Sequence, residues 1–410
     1  MRHAVFVVPF LFETSVRFLK GALSLPDVAV SLISQDPLER FGDGVRRRLA
    51  GHWKVGNALD AQQLADATRE LARRVGPVSS LVGVLEQLQG PLAEARAALD
   101  LPGLDPDAAE GFRDKAVMKT RLAAAGLPCA RHRLVESGRE AMAFAEELGL
   151  GRGQPLVVKP PAGAGAVDTF RVDHPHELTQ ALAANPPRHG HPVLLEEFIL
   201  GDEHSFDAVC IDGRCVWYSI SDYAPSPLEV MQNEWIQWTV LLPRELQGRG
   251  YEAIVDAGPK ALSVLGLETG LAHMEWFRRP DGSVAISEVG ARPPGAQFTS
   301  LLSFCHDTDM YAGWSRLVTE NRFDPPERRY ATGAAYLRGQ GRGRVQAIHG
   351  LEQAQREFGE LVVDVKLPKA GQARASSYEG EGYAILRHPE TAVVEAALQR
   401  LVSTVRVELG

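Results

Sequence analysis

The sequence is poor in cysteine and has neither a long apolar run nor an excess of positive charge. Its 410 residues include 4 cysteines, whose spacing fits no zinc ribbon or CxxC motif, as is typical of proteins from a reducing compartment such as the cytoplasm. No stretch approaches the about 18 apolar residues of a membrane-spanning helix. The net charge of −8 is of the wrong sign for overall electrostatic attraction to nucleic acid. We therefore expect a cytoplasmic protein, with neither nucleic acid nor membrane as a partner.

The amino-terminal segment also lacks the features of a secretory signal. MRHAVFVVPFLF has one arginine before a short apolar run that a proline interrupts, and it contains no small-residue cleavage site. We predict a first strand there. Alternating strand-like and helix-like segments over the first hundred residues predict a parallel sheet with crossover helices. The G-x-G-x-x-G fingerprint is absent after the first strand, which argues against a dinucleotide site.

Turn-forming segments divide the rest of the chain. LPGLDPD at 101–107 is typical of a boundary, and RFDPPERR at 322–329 is typical of a linker. Between them we predict a small α+β unit and then longer strands, with a hairpin across Asp212-Gly213. A strand-rich unit closed by a helix over Ala392–Val402 is predicted to follow.

The segment LAHMEWFRRPDGSVAISEVGAR combines a turn signal with two acids. Asp281-Gly282 predicts a two-residue hairpin loop, and this loop places Glu275 directly opposite Glu288 on one sheet face. Two carboxylates so close repel each other, and a divalent cation such as Mg²⁺ between them removes the conflict. The alternative is two acids that face solvent. In the same register Arg292 lies near the predicted metal, where a cation that binds a phosphoryl group belongs.

Two further segments end a strand in charged or glycine-rich residues. In LVVKPPAGAGA, Lys159 ends a strand, and the glycines of the next loop allow backbone amides to approach an anion. In VLLEEFILGDE, Glu196 and Glu197 end an apolar strand, and acids there are costly unless they are paired or bind a ligand. A plain strand-to-turn transition is the alternative for the first segment. A strand that emerges into solvent is the alternative for the second.

Together these motifs resemble the ATP-grasp superfamily along the length of the chain. DKAVMKTRLAAAGLPCA is similar to the family's first ATP-lysine helix, and MEWF…ISEVGARPPGA is similar to its metal-binding segment. The resemblance implies ATP and Mg²⁺ (or Mn²⁺) as cofactors. It implies ATP-binding roles for Lys115, Lys159, Gly163, Gly165, Glu196, Glu197, Phe198, Ile199 and Glu203, metal ligation by Glu275 and Glu288, and a catalytic role for Arg292 at the acyl phosphate. Many members carry Asn where this chain has Gly290, so water is the expected substitute for a third side-chain ligand.

Within the superfamily, GLAHMEW and LVGVLEQLQGPLAEARAALDLPG are most similar to carboxylate–amine ligases that activate amino acids. This resemblance implies an α/β fold with α+β subdomains. A biotin-carboxylase-like N-terminal domain is expected over residues 1–112, a small ATP-grasp subdomain (lid) over 113–200, and a large subdomain over 201–410, whose strand-rich C-terminal unit begins near 325.

The activity implied is ATP-dependent amide or peptide bond formation through an acyl phosphate, with release of ADP and phosphate. The partners implied are small-molecule carboxylates and amines such as amino acids, and a homodimer is compatible with the resemblance. Bicarbonate or formate chemistry, as in carboxylase and purine-pathway relatives, is one alternative. An ATP-binding module without turnover is the other.

Candidate substrate residues are Glu86, His273, Trp235 and Trp238. Glu86 lies in the amino-terminal motif just quoted, and His273 precedes a predicted metal ligand by two residues. A structural role is the alternative for His273. The two tryptophans are close enough in sequence to line an apolar substrate pocket. They are alternatively core residues, because Met231, Trp235 and Trp238 fit one face of a helix.

Overall fold

The computed structural model describes residues 1–163, 168–233 and 235–410. The strands of these residues are β1 (Arg2–Val8), β2 (Val28–Ser34), β3 (Gly51–Lys54), β4 (Ser80–Val82), β5 (His132–Val135), β6 (Leu156–Lys159), β7 (Phe170–Val172), β8 (Val193–Glu197), β9 (Asp202–Ile211), β10 (Arg214–Ala224), β11 (Trp238–Leu242), β12 (Gly270–Arg278), β13 (Val284–Gly290), β14 (Ala331–Leu337), β15 (Gly339–Gln340), β16 (Val345–His349), β17 (Val362–Lys366), β18 (Gly382–His388) and β19 (Arg406–Leu409). The helices are α1 (Glu13–Leu23), α2 (Asp43–Arg46), α3 (Ala61–Val75), α4 (Gln89–Ala97), α5 (Pro106–Arg113), α6 (Lys115–Ala124), α7 (Gly138–Leu148), α8 (Pro175–Ala184), α9 (Pro227–Gln232), α10 (Glu252–Val264), α11 (Phe298–His306), α12 (Met310–Glu320), α13 (Leu351–Phe358) and α14 (Thr391–Thr404).

The first part of the chain forms the predicted parallel sheet. Its strand order is β3-β2-β1-β4, and each of these neighbouring pairs is parallel. The central strand β1 is buried along nearly its whole length, as expected for a sheet covered by helices on both faces. Asp60 begins α3 because its side chain accepts a hydrogen bond from the Gln63 amide. Strand β4 is an edge of this sheet.

A small antiparallel sheet with strand order β5-β8-β6-β7 follows. Helices α7 and α8 bury their apolar faces in the same core as these strands. Ser137 caps the start of α7, and Gly149 ends it with a φ of +98°, a left-handed conformation that glycine adopts without a steric penalty.

The large sheet has the strand order β13-β12-β9-β10-β11-β14-β18-β17. The predicted hairpin across Asp212-Gly213 is confirmed, since both loop residues have positive φ and join β9 to β10. The strands after residue 330 therefore extend the same sheet that carries the predicted metal ligands. A further small sheet, β15-β19-β16, closes the chain. The domain boundaries at 112, 200 and 325 stay predictions.

Aromatic side chains join the parallel sheet to the large sheet. Phe18 of α1 meets Trp314 of α12 edge to face at 5.0 Å between ring centroids, and both belong to one core with Trp238 and Tyr336 of the large sheet. The two sheets therefore share one hydrophobic core. Within the described ranges, no helix is long and apolar enough to cross a membrane.

Candidate active site

The hairpin of β12 and β13 forms, but the predicted two-residue loop is wrong. The Arg279 amide donates to the Ser283 carbonyl at 2.8 Å, so residues 280–282 form a three-residue loop. Gly282 at its end has a φ of +81°, the left-handed conformation that such a loop requires. Next to the loop the two strands are therefore shifted by one residue from the predicted register.

A β-bulge at Ser287 restores the predicted register further along the hairpin. Trp276 pairs with Ile286, whereas Glu275 pairs with Glu288, so Ser287 is the extra residue. The loop and the bulge each add one residue, and together they bring the two carboxylates directly opposite each other, as the sequence predicts.

A cavity of about 620 Å³ gathers most of the predicted site residues. It is lined by Glu86, Lys115, Lys159, Gly163, Glu196, Glu197, Phe198, Ile199, Glu203, Trp238, His273, Glu275, Glu288 and Arg292. Gly165 lies outside the described residues. Trp235 is 65% exposed and lies apart from the cavity. Residues far apart in the sequence thus meet around one space, which is lined from the parallel-sheet part, the small antiparallel sheet and the large sheet.

The two candidate tryptophans have different environments, and the predicted helical face is wrong. Helix α9 ends at Gln232 and Trp238 begins strand β11, so Trp235 and Trp238 share no helix with Met231. Trp238 is buried, stacks on Tyr336 at 4.7 Å and borders the cavity. It is therefore both a core residue and a pocket wall.

Lys115 occupies the start of α6, which Asp114 caps by accepting two backbone hydrogen bonds. Its Nζ donates to the carbonyl of Gly163 at 2.7 Å and lies 3.2 Å from Oε1 of Glu288. The lysine therefore connects the predicted phosphate loop to one of the facing carboxylates.

A second lysine of α6, Lys119, was missed by the sequence analysis. It is fully buried one turn after Lys115, and its Nζ lies 3.5 Å from Oε1 of Glu196 and donates to the Ser287 carbonyl at 2.5 Å. Lys159 lies 2.9 Å from the other oxygen of Glu196. The i, i+4 spacing of the two α6 lysines was the available signal, because it places both on one helix face.

The charges of this cluster act on one another. Burial favours the protonated form of Glu196, but Lys119 and Lys159 outweigh it and lower the pKa of that carboxyl. Burial would lower the pKa of Lys159, yet Glu196 and then Glu288 raise it. Burial does lower the pKa of Lys119. The carboxylate of Glu196 is thus held by two ammonium groups.

Arginines contact the side chains of Glu197 and Phe198, two of the predicted ATP-binding residues. Arg131 donates through Nε to Glu197 at 2.5 Å, and Nη2 of Arg279 lies 3.5 Å from the same carboxylate. The guanidinium of Arg171 lies 4.5 Å from the centre of the Phe198 ring. These contacts hold both side chains beside the cavity, which Ile199 also lines.

Glu203 is a buried acid of the cavity that lies near other carboxylates. Burial and then the charge of Glu275 raise the pKa of Glu203 well above its usual value. The described residues contain no group of three or more His, Cys, Asp or Glu side chains able to hold a metal. The facing pair Glu275 and Glu288 nevertheless suits Mg²⁺, which is commonly bound by one or two carboxylates plus phosphate oxygens and water.

His273 lies beside this pair and is held by Asp207. Its Nδ1 is 2.7 Å from an oxygen of Asp207, and its Nε2 is 3.3 Å from the Tyr223 hydroxyl and 3.8 Å from Glu275. Burial opposes protonation, but the Asp207 charge outweighs it and raises the pKa of His273 to about 9. A cationic imidazole thus borders the cavity.

Arg292 is fixed by Glu86 of the parallel-sheet part of the chain. Its Nε donates to Oε2 of Glu86 at 2.5 Å and its Nη1 to the Pro293 carbonyl at 2.9 Å. Its Nη2 has no protein acceptor among the described residues. A Cβ on Gly290 would lie 3.7 Å from the same Glu86 oxygen, so the space beside Gly290 faces this ion pair.

A carboxy-terminal loop that the sequence analysis missed also lines the cavity. Residues 376–379 reach it from the segment before β18. Tyr378 packs edge to face on Trp238 at 4.6 Å. Nothing local in the sequence signals this contact, because 140 positions separate the two residues in the numbering.

No family model matches the chain. The chain is 26% identical to the uncharacterized protein y4rH of Sinorhizobium fredii over 345 residues, which cover 81% of the chain and 69% of that protein. It is 25% identical to an L-arginine-specific L-amino acid ligase of Bacillus subtilis over 266 residues, which cover 62% of each protein. The match therefore spans less than two thirds of that ligase.

Solved structures share the fold. An L-amino acid ligase from Bacillus licheniformis superposes with a TM-score of 0.79 at 20% identity, covering 100% of this chain and 99% of the other. The biotin carboxylase domain of the Hydrogenobacter thermophilus 2-oxoglutarate carboxylase, solved with MgADP and bicarbonate, superposes with a TM-score of 0.66 at 16% identity, covering 98% and 90%. The predicted fold class and the predicted enzyme class are confirmed: the chain has the ATP-grasp fold, and its relatives include ATP-dependent carboxylate–amine ligases of that superfamily.

Proposed function

We propose that the protein joins a carboxylate to an amine through an acyl phosphate, using ATP and releasing ADP and phosphate. One observation carries the proposal. A single cavity contains the facing carboxylates of Glu275 and Glu288, two lysines, and Arg292 held by Glu86. Carboxylates and lysines suit a metal-bound triphosphate, and a partly buried guanidinium suits the acyl phosphate formed beside it.

ATP is proposed to lie along the wall formed by β8 and the segment after it. Its base would meet the backbone of residues 197–199, its ribose would meet Glu203, and its phosphates would meet Lys115 and Lys159. The position of residues 197–199 in the cavity lining supports this placement. The amides of Glu197 and Phe198 donate to the carbonyls of Arg131 and Pro155, so the base would meet the other backbone groups of this segment. The carboxylase domain that shares the fold was solved with MgADP, which supports a nucleotide as the ligand.

Glu275 and Glu288 would hold Mg²⁺ (or Mn²⁺). When bound, the metal neutralises phosphate charge in the transition state. Nζ of Lys115 lies 3.2 Å from Oε1 of Glu288, and this contact orients the second carboxylate.

In the reaction, the substrate carboxylate attacks the γ-phosphorus, and ADP leaves with the electrons of the broken P–O bond. The amine then attacks the acyl carbon, loses a proton, and inorganic phosphate leaves. Glu86 holds Arg292 through Nε, so Nη2 can bind the acyl phosphate and the oxyanion that forms from it. No nucleophilic side chain is required.

The substrates proposed are amino acids, at least one with an apolar side chain. Trp238, Tyr223, Phe298 and Tyr378 form an aromatic wall of the cavity close to His273. Such a wall favours an apolar or aromatic side chain over a charged one. The cytoplasmic location and the homodimer remain predictions.

ADP release over pairs of amino acids, with and without Mg²⁺, tests this function. We expect ADP release that depends on two amino acids and produces equal amounts of amide and phosphate. Glu288→Gln should abolish turnover in a folded protein because a neutral amide holds Mg²⁺ poorly. Glu395→Gln, which changes an exposed acid of α14 in the same way, should leave turnover unchanged.

Other outcomes would identify the alternatives. ADP release that needs bicarbonate or formate and no amino acid would indicate the carboxylase or formyl-phosphate chemistry. ATP binding without any turnover would indicate a binding module. Normal turnover by folded Glu288→Gln would contradict the metal assignment.

A further inference from the structure

A second cavity, of about 790 Å³, lies along the edge strand β4 of the parallel sheet. Residues 79–83 form one wall, and the start of β12 with the end of α12 forms another. Arg292 and Pro293 line both this cavity and the active-site cavity. The proposed reaction uses none of its other residues.

A guanidinium without a carboxylate partner borders this cavity. Arg96 of α4 donates through Nε to the Leu81 carbonyl at 2.8 Å. It packs against Gly103, where a Cβ would lie 2.9 Å from the Arg96 Cδ. Among the described residues, no acid lies within ion-pair distance of Arg96, and its Nη1 and Nη2 have no acceptor. Nη1 and Nη2 of Arg96 are therefore available to bind a ligand in the cavity.

The electrostatic state of Arg96 agrees with this geometry. Burial, with no neighbouring charge to offset it, lowers the pKa of Arg96 to about 10. The side chain therefore remains charged at neutral pH. An enclosed cation without a counter-charge is costly, and an anion that enters the cavity would remove that cost.

A second unpaired donor lines the same cavity. Ser80 is 4% exposed, and its Oγ has no hydrogen-bond partner in the described part of the chain. It precedes Leu81, whose carbonyl accepts from Arg96, and both Ser80 and Arg96 line this cavity. A buried hydroxyl is normally paired, and an unpaired one calls for a ligand or a water molecule.

Acids also line this cavity, but two of them are engaged elsewhere. Asp105 caps α5 by accepting from the Ala108 amide. Asp212 accepts from the Asn321 side chain at 3.0 Å. Glu268 and Glu320 complete the acidic lining, and neither forms an ion pair with Arg96.

We propose that this cavity binds a small oxyanion, a carboxylate or a phosphate group, between the Arg96 guanidinium and the Ser80 hydroxyl. A guanidinium binds two oxygens of such a group in parallel, and the hydroxyl adds a third hydrogen bond. The site goes beyond the ligase function because it lies behind the wall that carries Arg292 and needs neither nucleotide nor metal. Its occupant would join the parallel sheet to the large-sheet part of the chain and stabilise the folded protein.

Binding of inorganic phosphate and of acetate to the full-length chain tests the proposal. Calorimetric titration and the thermal midpoint should be measured at constant ionic strength, with sodium chloride as the reference. We expect at least one of the two anions to bind saturably and raise the midpoint, and the comparison identifies which oxyanion the site takes. Arg96→Met should weaken that affinity about 10- to 100-fold, the range of hydrogen bonds to charged groups.

Matched variants separate this site from the active-site cavity. Arg47→Met changes an exposed arginine in the same part of the chain and should bind as the wild type does. Lys159→Ala should remove any phosphate binding in the active-site cavity and leave the Arg96 component intact. Ser80→Ala keeps the guanidinium and should weaken binding several-fold, which preserves the test if Arg96→Met does not fold.

The proposal is wrong if neither anion raises the midpoint above the chloride reference. It is also wrong if all saturable binding disappears in Lys159→Ala, or if Arg96→Met and Ser80→Ala both bind as the wild type does. None of these results depends on ATP turnover, so failure here is distinct from failure of the ligase function.

Discussion

Replacement of Lys119 by methionine tests how the buried charges support the site. The methionine keeps the apolar stem of the side chain but removes the ammonium group that contacts Glu196 and the Ser287 carbonyl. Removal of one partner of a buried ion pair commonly costs about 3–5 kcal/mol because the other charge stays unpaired. Here Glu196 keeps Lys159 at 2.9 Å, so most of that cost does not arise.

The remaining loss is the hydrogen bond to the bulge carbonyl. A hydrogen bond to a charged group contributes about 1.5–3 kcal/mol. Burial of the ammonium, which lowers the pKa of Lys119, offsets part of it. We therefore expect Lys119→Met to lower the free energy of unfolding by about 2 kcal/mol, which is roughly a 30-fold change in the unfolding equilibrium.

Urea denaturation of the wild type, Lys119→Met and Lys260→Met measures this difference. Lys260 pairs with Asp256 at 2.6 Å one helical turn away, and both side chains are mostly exposed. Such a surface pair contributes at most about 0.5 kcal/mol. If the free energy of unfolding falls by the same small amount in both lysine variants, Lys119 does not stabilise the bulge and our interpretation of the buried cluster is wrong.

Three other variants test the site and its surroundings. Arg292→Lys should keep ATP affinity within a few-fold but lower the rate of amide formation about 100-fold, because lysine cannot bind Glu86 and the acyl phosphate together. If titration shows that ATP binding is lost as well, Arg292 contacts the nucleotide instead. Lys159→Ala should raise the KM for ATP and lower kcat. An unchanged kcat/KM for ATP would mean that Lys159 only ends its strand and does not contact the nucleotide. Asp222→Asn tests the pH dependence of stability. Burial favours the protonated form of Asp222, but the hydrogen bonds from His204 and Tyr251 outweigh burial and lower the pKa of Asp222. Its stabilising contribution should therefore be complete above about pH 5 and disappear as the pH falls through the folded-state pKa. As the pH falls through this range, the thermal midpoint of Asp222→Asn should decrease less than that of the wild type. An equal decrease in both proteins would contradict the stabilising role of the Asp222 carboxylate.

The pairing of Glu275 with Glu288 was predicted correctly because two unpredicted features, the longer loop and the bulge at Ser287, offset each other. The loop itself was predicted wrongly because the two-residue turn required Pro280 to pair with Ser283. Proline has no backbone N–H for such a pair, and its fixed φ suits the first position inside a turn. The observed three-residue loop places Pro280 at that position. The bulge at Ser287 then compensates for the added residue.

Other parts of the site could not be read from local pattern. The spacing of Lys119 from Lys115 places both on one helix face, but the burial of Lys119 depends on Glu196 and Ser287, which distant segments supply. Tyr378 reaches the cavity because β18 joins the large sheet next to β14. Sheet order between distant strands has no signal in a single sequence.

The position of the hairpin within the sheet has a consequence for solubility. Strand β13 is an edge of the large sheet, and an exposed edge is a template for pairing with another molecule. The segment after α6 covers it: the Ile286 amide donates to the Pro128 carbonyl at 2.8 Å, and Cys129 forms a parallel bridge with Ile286. The bulge at Ser287 interrupts the regular pairing of β13 with β12 next to the segment that covers the edge. Pro293 and Pro294 follow the end of β13. The same irregularities that orient the carboxylates therefore protect this edge against intermolecular aggregation.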